Sequence, residues 1–111
     1  MKHIKYDFHD SDIETCLFAL TKLPLVHEDT DGISDAQINI NEECAVSVSE
    51  KLIRHDFEHI LPNEIRVLCC CIMFCDGVCH GEYTVSKDCY QECMKFMFSL
   101  NKLNNSLCSQ I

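Results

Sequence analysis

The sequence predicts an all-α fold, a small bundle of about four helices ending in a helical hairpin, and three observations carry that expectation. Apolar residues recur at steps of three and four along most of the chain. Capping residues precede these runs, and proline or glycine marks their ends. The connections are short enough to make successive helices antiparallel neighbours. At 111 residues, residues 1–111 read as a single helical domain, large enough to bury a core without metal or disulfides as obligatory staples.

Taken in order, Lys2 to Phe8 alternates loosely, with Ile4, Tyr6 and Phe8 on one side, and reads as a short strand or an extended arm. Ser11-Asp12-Ile13-Glu14 has the order of a capping box, followed by Ile13, Cys16, Leu17 and Leu20 at helical spacing. A helix from about Asp12 to Lys22 is expected, stopped by Pro24. His27 to Asp35 reads as an acidic loop, and Ala36 to Ile40 as a short helix or extended connector. Asn41 then supplies a cap, with Glu42 and Glu43 at the positive end of the helix dipole. The helix it opens carries Cys44, Ala45, Val48, Leu52, Ile53 and Phe57 as its apolar stripe, and Glu50 can pair with Arg54 one turn on.

The rest of the chain is organised around Pro62 to Leu107. Val67 to Cys75 holds no charge and no strong hydrogen-bonding group, so it is expected to be covered on nearly every side as the central helix. A buried strand is the competing reading of such a run, but Pro62 suits a first helical position, Asn63 and Glu64 a first turn, and Gly77 an end. The segment is too short to span a bilayer, and Glu64 and Arg66 interrupt it. A second arm starts from a cap at Thr84 or Ser86 and runs to about Asn105. Its apolar face is Tyr90, Cys93, Met94, Met97, Leu100 and Leu103, with Lys87, Glu92, Lys95 and Lys102 between. Gly77, His80, Gly81 and Glu82 supply the turn, with an extended piece at Tyr83 to Val85.

The net charge of −9 is unevenly placed. All of the excess negative charge falls in residues 1–64, and residues 65–111 are balanced. Such a surface repels nucleic acid and anionic lipid and speeds encounter with basic partners, although acidity also serves plain solubility. Lys2 and Lys5 are not followed by the apolar stretch of a signal peptide, which predicts a cytoplasmic protein. There the ten cysteines stay reduced and pack as small hydrophobes.

Candidate chemistry is sparse. Setting Gly32 at the glycine of a calcium-binding loop puts Asp29 and Asp31 on ligand positions but His27 and Ile38 on the two terminal ones, a poor match. His55 and His59 are spaced to chelate a metal on one helical turn, with Asp56 where a metalloprotease helix needs glutamate. Cys79 and His80 are adjacent, a spacing that seldom lets two side chains face each other, and no third residue orients them. The three glycines are isolated, so no phosphate-cradling loop is present. The sequence therefore predicts no enzyme and no cofactor.

Cys75-x3-Cys79 and Cys89-x3-Cys93 flank the hairpin turn, and i,i+4 cysteines on helices face one way, so two such pairs can hold zinc or form two cross-links. The arrangement resembles the twin CX3C pattern of the small translocase chaperones of the mitochondrial intermembrane space, helical hairpins closed by two disulfides. In size, acidity and lack of catalytic residues the chain also resembles the small immunity proteins that neutralise toxic nucleases in contact-dependent growth inhibition between bacteria. That second resemblance implies a basic protein partner, a toxin nuclease domain, with no direct contact to nucleic acid or membrane. Its mechanism is electrostatic occlusion, carboxylates taking the places of substrate phosphates. The expected partner-binding residues are Glu28, Asp29, Asp31 and Asp35 from the loop, with Glu42, Glu43 and Glu50 from the helix after it. The same charge distribution suits a DNA-mimicking phage inhibitor or an antitoxin, and a zinc- or disulfide-stabilised hairpin using Cys75, Cys79, Cys89 and Cys93 is the alternative. The chain is expected to be a monomer or a homodimer, the latter through the methionines and phenylalanines of Met94 to Leu100.

Overall fold

The structure, a computed structural model, describes residues 5–111. Every regular element among them is helical: α1 (Asp10–Leu20), α2 (Leu23–Asp29), α3 (Asp35–Ile53), α4 (Pro62–Cys79), α5 (Lys87–Lys95) and α6 (Met97–Ser106). Short 3-10 turns lie at Phe57–His59 and Cys108–Gln110. The all-α class is as expected, but the described chain has six helices where about four were read, and the local chemistry explains each difference.

The first helix opens earlier than the Ser11 box implies. The Asp12 carboxylate accepts the His9 N–H at 3.0 Å, while Ser11 is already helical and its carbonyl accepts the Thr15 hydroxyl at 2.9 Å. Pro24 starts a helix instead of stopping one. It sits in the first turn of α2, where the amide hydrogen it lacks has no helical acceptor.

The acidic loop is shorter than expected and the helix after it longer. Glu28 and Asp29 belong to α2, the turn spans residues 30–34, and Gly32 adopts the left-handed φ of 74° that the turn requires. The Ser34 hydroxyl then accepts the Gln37 N–H at 3.1 Å, and α3 runs unbroken for 19 residues. Asn41, expected as a cap, lies inside it: its side chain accepts from Gln37 Nε2 at 2.8 Å and meets His27 Nε2 at 3.1 Å. At the other end α3 stops at Ile53, because His55 takes a left-handed φ of 58° and turns the chain into the Phe57–His59 segment. Ile53 is not part of the apolar stripe but 63% exposed. Arg54 bonds the Glu50 carbonyl through its backbone N–H, and the side-chain ion pair between them is not formed.

Pro62 opens α4 as expected, but Gly77 does not close it. The helix continues to Cys79, and Gly81, at φ 76°, turns the chain out. Gly77 is required for a different reason: a Cβ there would stand 2.6 Å from the Tyr83 ring, which packs at 4.6 Å on Phe74. The last arm is capped by Ser86, whose hydroxyl accepts the Cys89 N–H at 3.2 Å, and it breaks once, at Phe96. That residue leaves helical geometry (φ −108°, ψ 13°), and its ring stacks on Phe18 at 4.5 Å, tying the α5–α6 joint to α1.

α4 is the hub, packed against every other helix. Leu68, Cys69, Cys71, Ile72 and Cys75 are fully buried along it, covered by Val48 and Leu52 of α3, Cys16 and Ala19 of α1, and Leu100 and Leu103 of α6. Each such leucine or isoleucine contributes about 1.5–3 kcal/mol by leaving water. Two charged ties lock this core. Glu64 is buried and accepts from Lys51 Nζ at 2.7 Å and from the Leu61 N–H at 2.8 Å, fastening α4 to α3. Burial pushes its carboxyl up, but these donors outweigh it and hold the group below its ordinary value. Asp12, also buried, meets Lys102 Nζ at 3.3 Å and fastens α1 to α6. Tyr6 and Phe8 form no strand. They pack as an arm, Phe8 stacking on Phe57 at 5.0 Å, while Lys2 and Ile4 lie outside the described residues. No described helix is long and apolar enough to cross a membrane.

Candidate functional site

The uninterrupted run of α3 gathers acidic residues that the sequence reading had divided between a loop and a helix. At about 100° per residue, Asp35, Asn39, Glu42, Glu43, Val46, Glu50 and Ile53 fall within an arc of roughly 100°. All seven are exposed, and the arc lies opposite Val48 and Leu52, which face the core. Glu42, Glu43 and Glu50 enter no ion pair among the described residues, so their charges are open to solvent. Val46 and Ile53, 61% and 63% exposed, sit among them as apolar patches on an acidic face.

The other expected residues lie apart from this arc. Glu28 and Asp29 end α2, and Asp31 is in the turn, all three exposed. Asp31 also helps line an open cavity of about 520 Å³ between α2, α3 and α4, with Val26, His27, Ser34, Asn41 and Arg66 around it. Neither Val46 nor the exposure of Ile53 was part of the sequence expectation. Their signal was present, since Val46 falls between the two halves of the apolar stripe and cannot face the core with Val48.

The second region is the thiol cluster where α5 packs on α4. All ten cysteines are free. Cys75 of α4 and Cys93 of α5 are fully buried where the two helices pack, and Cys89, one turn earlier on α5, is 6% exposed. The neighbouring Cys75 thiol holds the Cys93 thiol below its ordinary value against the opposing effect of burial, and Cys75 itself is driven upward. Cys79 is half-buried and pushed up to about 11, first by burial and then by the Cys93 charge. Three of the four CX3C cysteines are thus buried, and Cys79 is not fully covered. Among the described residues, no group of three or more His, Cys, Asp or Glu side chains is disposed to hold a metal ion.

The remaining sequence candidates are not assembled. Asp29 is helical and only a five-residue turn follows it, so there is no long loop between helices to wrap calcium. His55 and His59 do not share a helical turn: His55 is left-handed, and His59 binds the Asp56 carboxylate, which raises its pKa. His80 turns to the Asp76 carbonyl at 2.8 Å, away from any pairing with Cys79.

Compared with protein families, curated proteins and solved structures, the chain matches none of them.

Proposed function

We propose that this is an acidic binding protein of the cytoplasm that neutralises a basic partner, a toxic nuclease domain being the partner whose chemistry fits best. The observation that supports the reading is the outer face of α3, where Asp35, Glu42, Glu43 and Glu50, in no ion pair among the described residues, surround exposed Val46 and Ile53. Carboxylates on a rigid helix steer a basic surface into register and occupy the places of substrate phosphates, while two desolvated aliphatic side chains slow its departure. Glu28, Asp29 and Asp31 extend the acidic field at the end of α2.

A native mass spectrum of the protein taken at low salt from its own cells tests this directly. A stoichiometric complex with a basic protein is expected. The triple variant Glu42→Lys, Glu43→Lys, Glu50→Lys should weaken that complex at least about tenfold and flatten its salt dependence, with an unchanged unfolding midpoint. A chain that elutes alone, or a complex indifferent to the triple variant, overturns the reading.

A further inference from the structure

One side of α3 changes chemistry along its length. Val48 and Leu52 face the core, but nearer the start of the helix the same side carries Gln37 and Asn41, which line the open cavity of about 520 Å³ between α2, α3 and α4. A helix side that only had to close a core would stay apolar there. Instead Asn41 accepts an N–H from Gln37 Nε2 at 2.8 Å and donates one to His27 Nε2 at 3.1 Å, so that three side chains brace one polar wall. The ring nitrogen that accepts is unprotonated, and His27 adds no charge. Leu23 and Val26 of α2, Ile33 of the turn and Val67 of α4 supply an apolar lining. Two fixed charges of opposite sign share the cavity, Arg66 of α4 and Asp31 of the turn. They form no ion pair with each other or with any other described residue.

We infer that this cavity binds a small zwitterion with an apolar side chain, a free aliphatic or aromatic α-amino acid. Its carboxylate goes to Arg66, whose guanidinium offers a fork of N–H donors, and its ammonium goes to Asp31. Its side chain lies on Leu23, Val26, Ile33 and Val67. The volume is within the range of small-molecule sites, roughly 300–1,000 Å³. Charge decides against simpler ligands. On a chain of net charge −9 a monocarboxylate approaches against the field and leaves Asp31 without a counterion, while an amine leaves Arg66 without one. A zwitterion carries no net charge and engages both groups. The site lies on the side of α3 opposite Glu42, Glu43 and Glu50, so it does not rest on the binding of a basic partner.

The experiment titrates the full native chain with leucine, methionine, phenylalanine and tyrosine and follows backbone amide chemical shifts. Isocaproate, leucinamide and glycine serve as probes that lack the ammonium, the carboxylate and the side chain. At least one of the four amino acids should bind saturably with a dissociation constant below about 1 mM, moving the amides of Gly32, Asn41 and Val67. Each of the three probes should bind at least about tenfold more weakly. Arg66→Gln and Asp31→Asn should each weaken binding at least about tenfold, and because both positions are exposed the unfolding midpoint should hold. Cys70 gives an independent reading. It is the one exposed cysteine and it lines the cavity, so saturating amino acid should slow its alkylation by iodoacetamide. If none of the four amino acids binds below about 1 mM, the inference is overturned. Equal binding of isocaproate or leucinamide overturns it as well, and so does binding that Arg66→Gln leaves unchanged.

Discussion

α3 and α4 are almost the same length, 19 and 18 residues, and lie against each other. Yet α3 buries only Val48 and Leu52, while α4 buries twelve of its residues. α3 is held by one stripe and keeps most of its circumference in water. α4 keeps only one narrow stripe in water, Asn63, Arg66, Cys70 and Met73, so the run from Val67 to Cys75 is covered on all sides but that one, and even polar Glu64 and Asp76 are buried. The contrast teaches that the stability of this molecule is concentrated in one helix, which leaves its neighbour free to carry charge on its outer face.

The largest test of that contrast is a pair of truncations. Leu68→Ala on α4 should lower the unfolding free energy by about 3 kcal/mol in urea titrations, since a fully buried leucine leaves a cavity. Val46→Ala on α3 should change it by less than about 0.5 kcal/mol. Comparable losses at the two positions would break the comparison.

A slightly smaller effect is expected where the two helices are fastened. Lys51→Met removes the partner of buried Glu64 and should cost about 2–3 kcal/mol at neutral pH. The acid limb should respond as well. Glu64 has a folded pKa below its ordinary 4.5, so its contribution is present above 4.5 and lost as pH falls through the lower folded value. Lys51→Met brings the folded value back up, and stability measured between neutral pH and pH 3 should then fall less steeply than in the wild type. An unchanged slope would show that the donors other than Lys51, the Leu61 N–H first among them, hold the carboxylate.

The smallest effect tests the end of α4. Gly77→Ala gains helix propensity but drives a methyl into the Tyr83 ring, a net loss of about 1 kcal/mol. In a Tyr83→Ala background the same substitution should instead stabilise the protein relative to that background, the sign change being read from a double-mutant cycle. If Gly77→Ala stabilises the wild type, Tyr83 yields freely and the fold tolerates a methyl there.

How much of this was legible in the sequence follows the same division. α4 was readable because an unbroken apolar run behind Pro62 has few alternatives, and Ser86 was readable because hydroxyl caps act locally. α3 was misread at its start because Asn41 has strong capping chemistry; its contact with His27, 14 residues away, is tertiary and leaves no local mark. The break at Phe96 has no glycine or proline to announce it, since the stack on Phe18 that accompanies it joins segments far apart in the chain. Of the acidic set, the residue identities were legible, but the common arc of Asp35, Glu42, Glu43 and Glu50 depended on knowing that α3 is continuous. The CX3C spacing likewise indicated shared faces. It did not say that Cys75, Cys89 and Cys93 would be buried while Cys79 stays partly exposed, which is set by the way α5 rests on α4.

The position of the hub in the chain has a consequence for synthesis. α1, α2 and α3 leave the ribosome before the helix they chiefly pack on, so for as long as α4 is in the tunnel their apolar stripes lack most of the surface that covers them. Most of the surplus negative charge lies in this early portion. Charge of one sign favours keeping such a segment in solution while its stripes are uncovered. The acidity of the early portion thus favours solubility over the interval in which its apolar stripes are least covered.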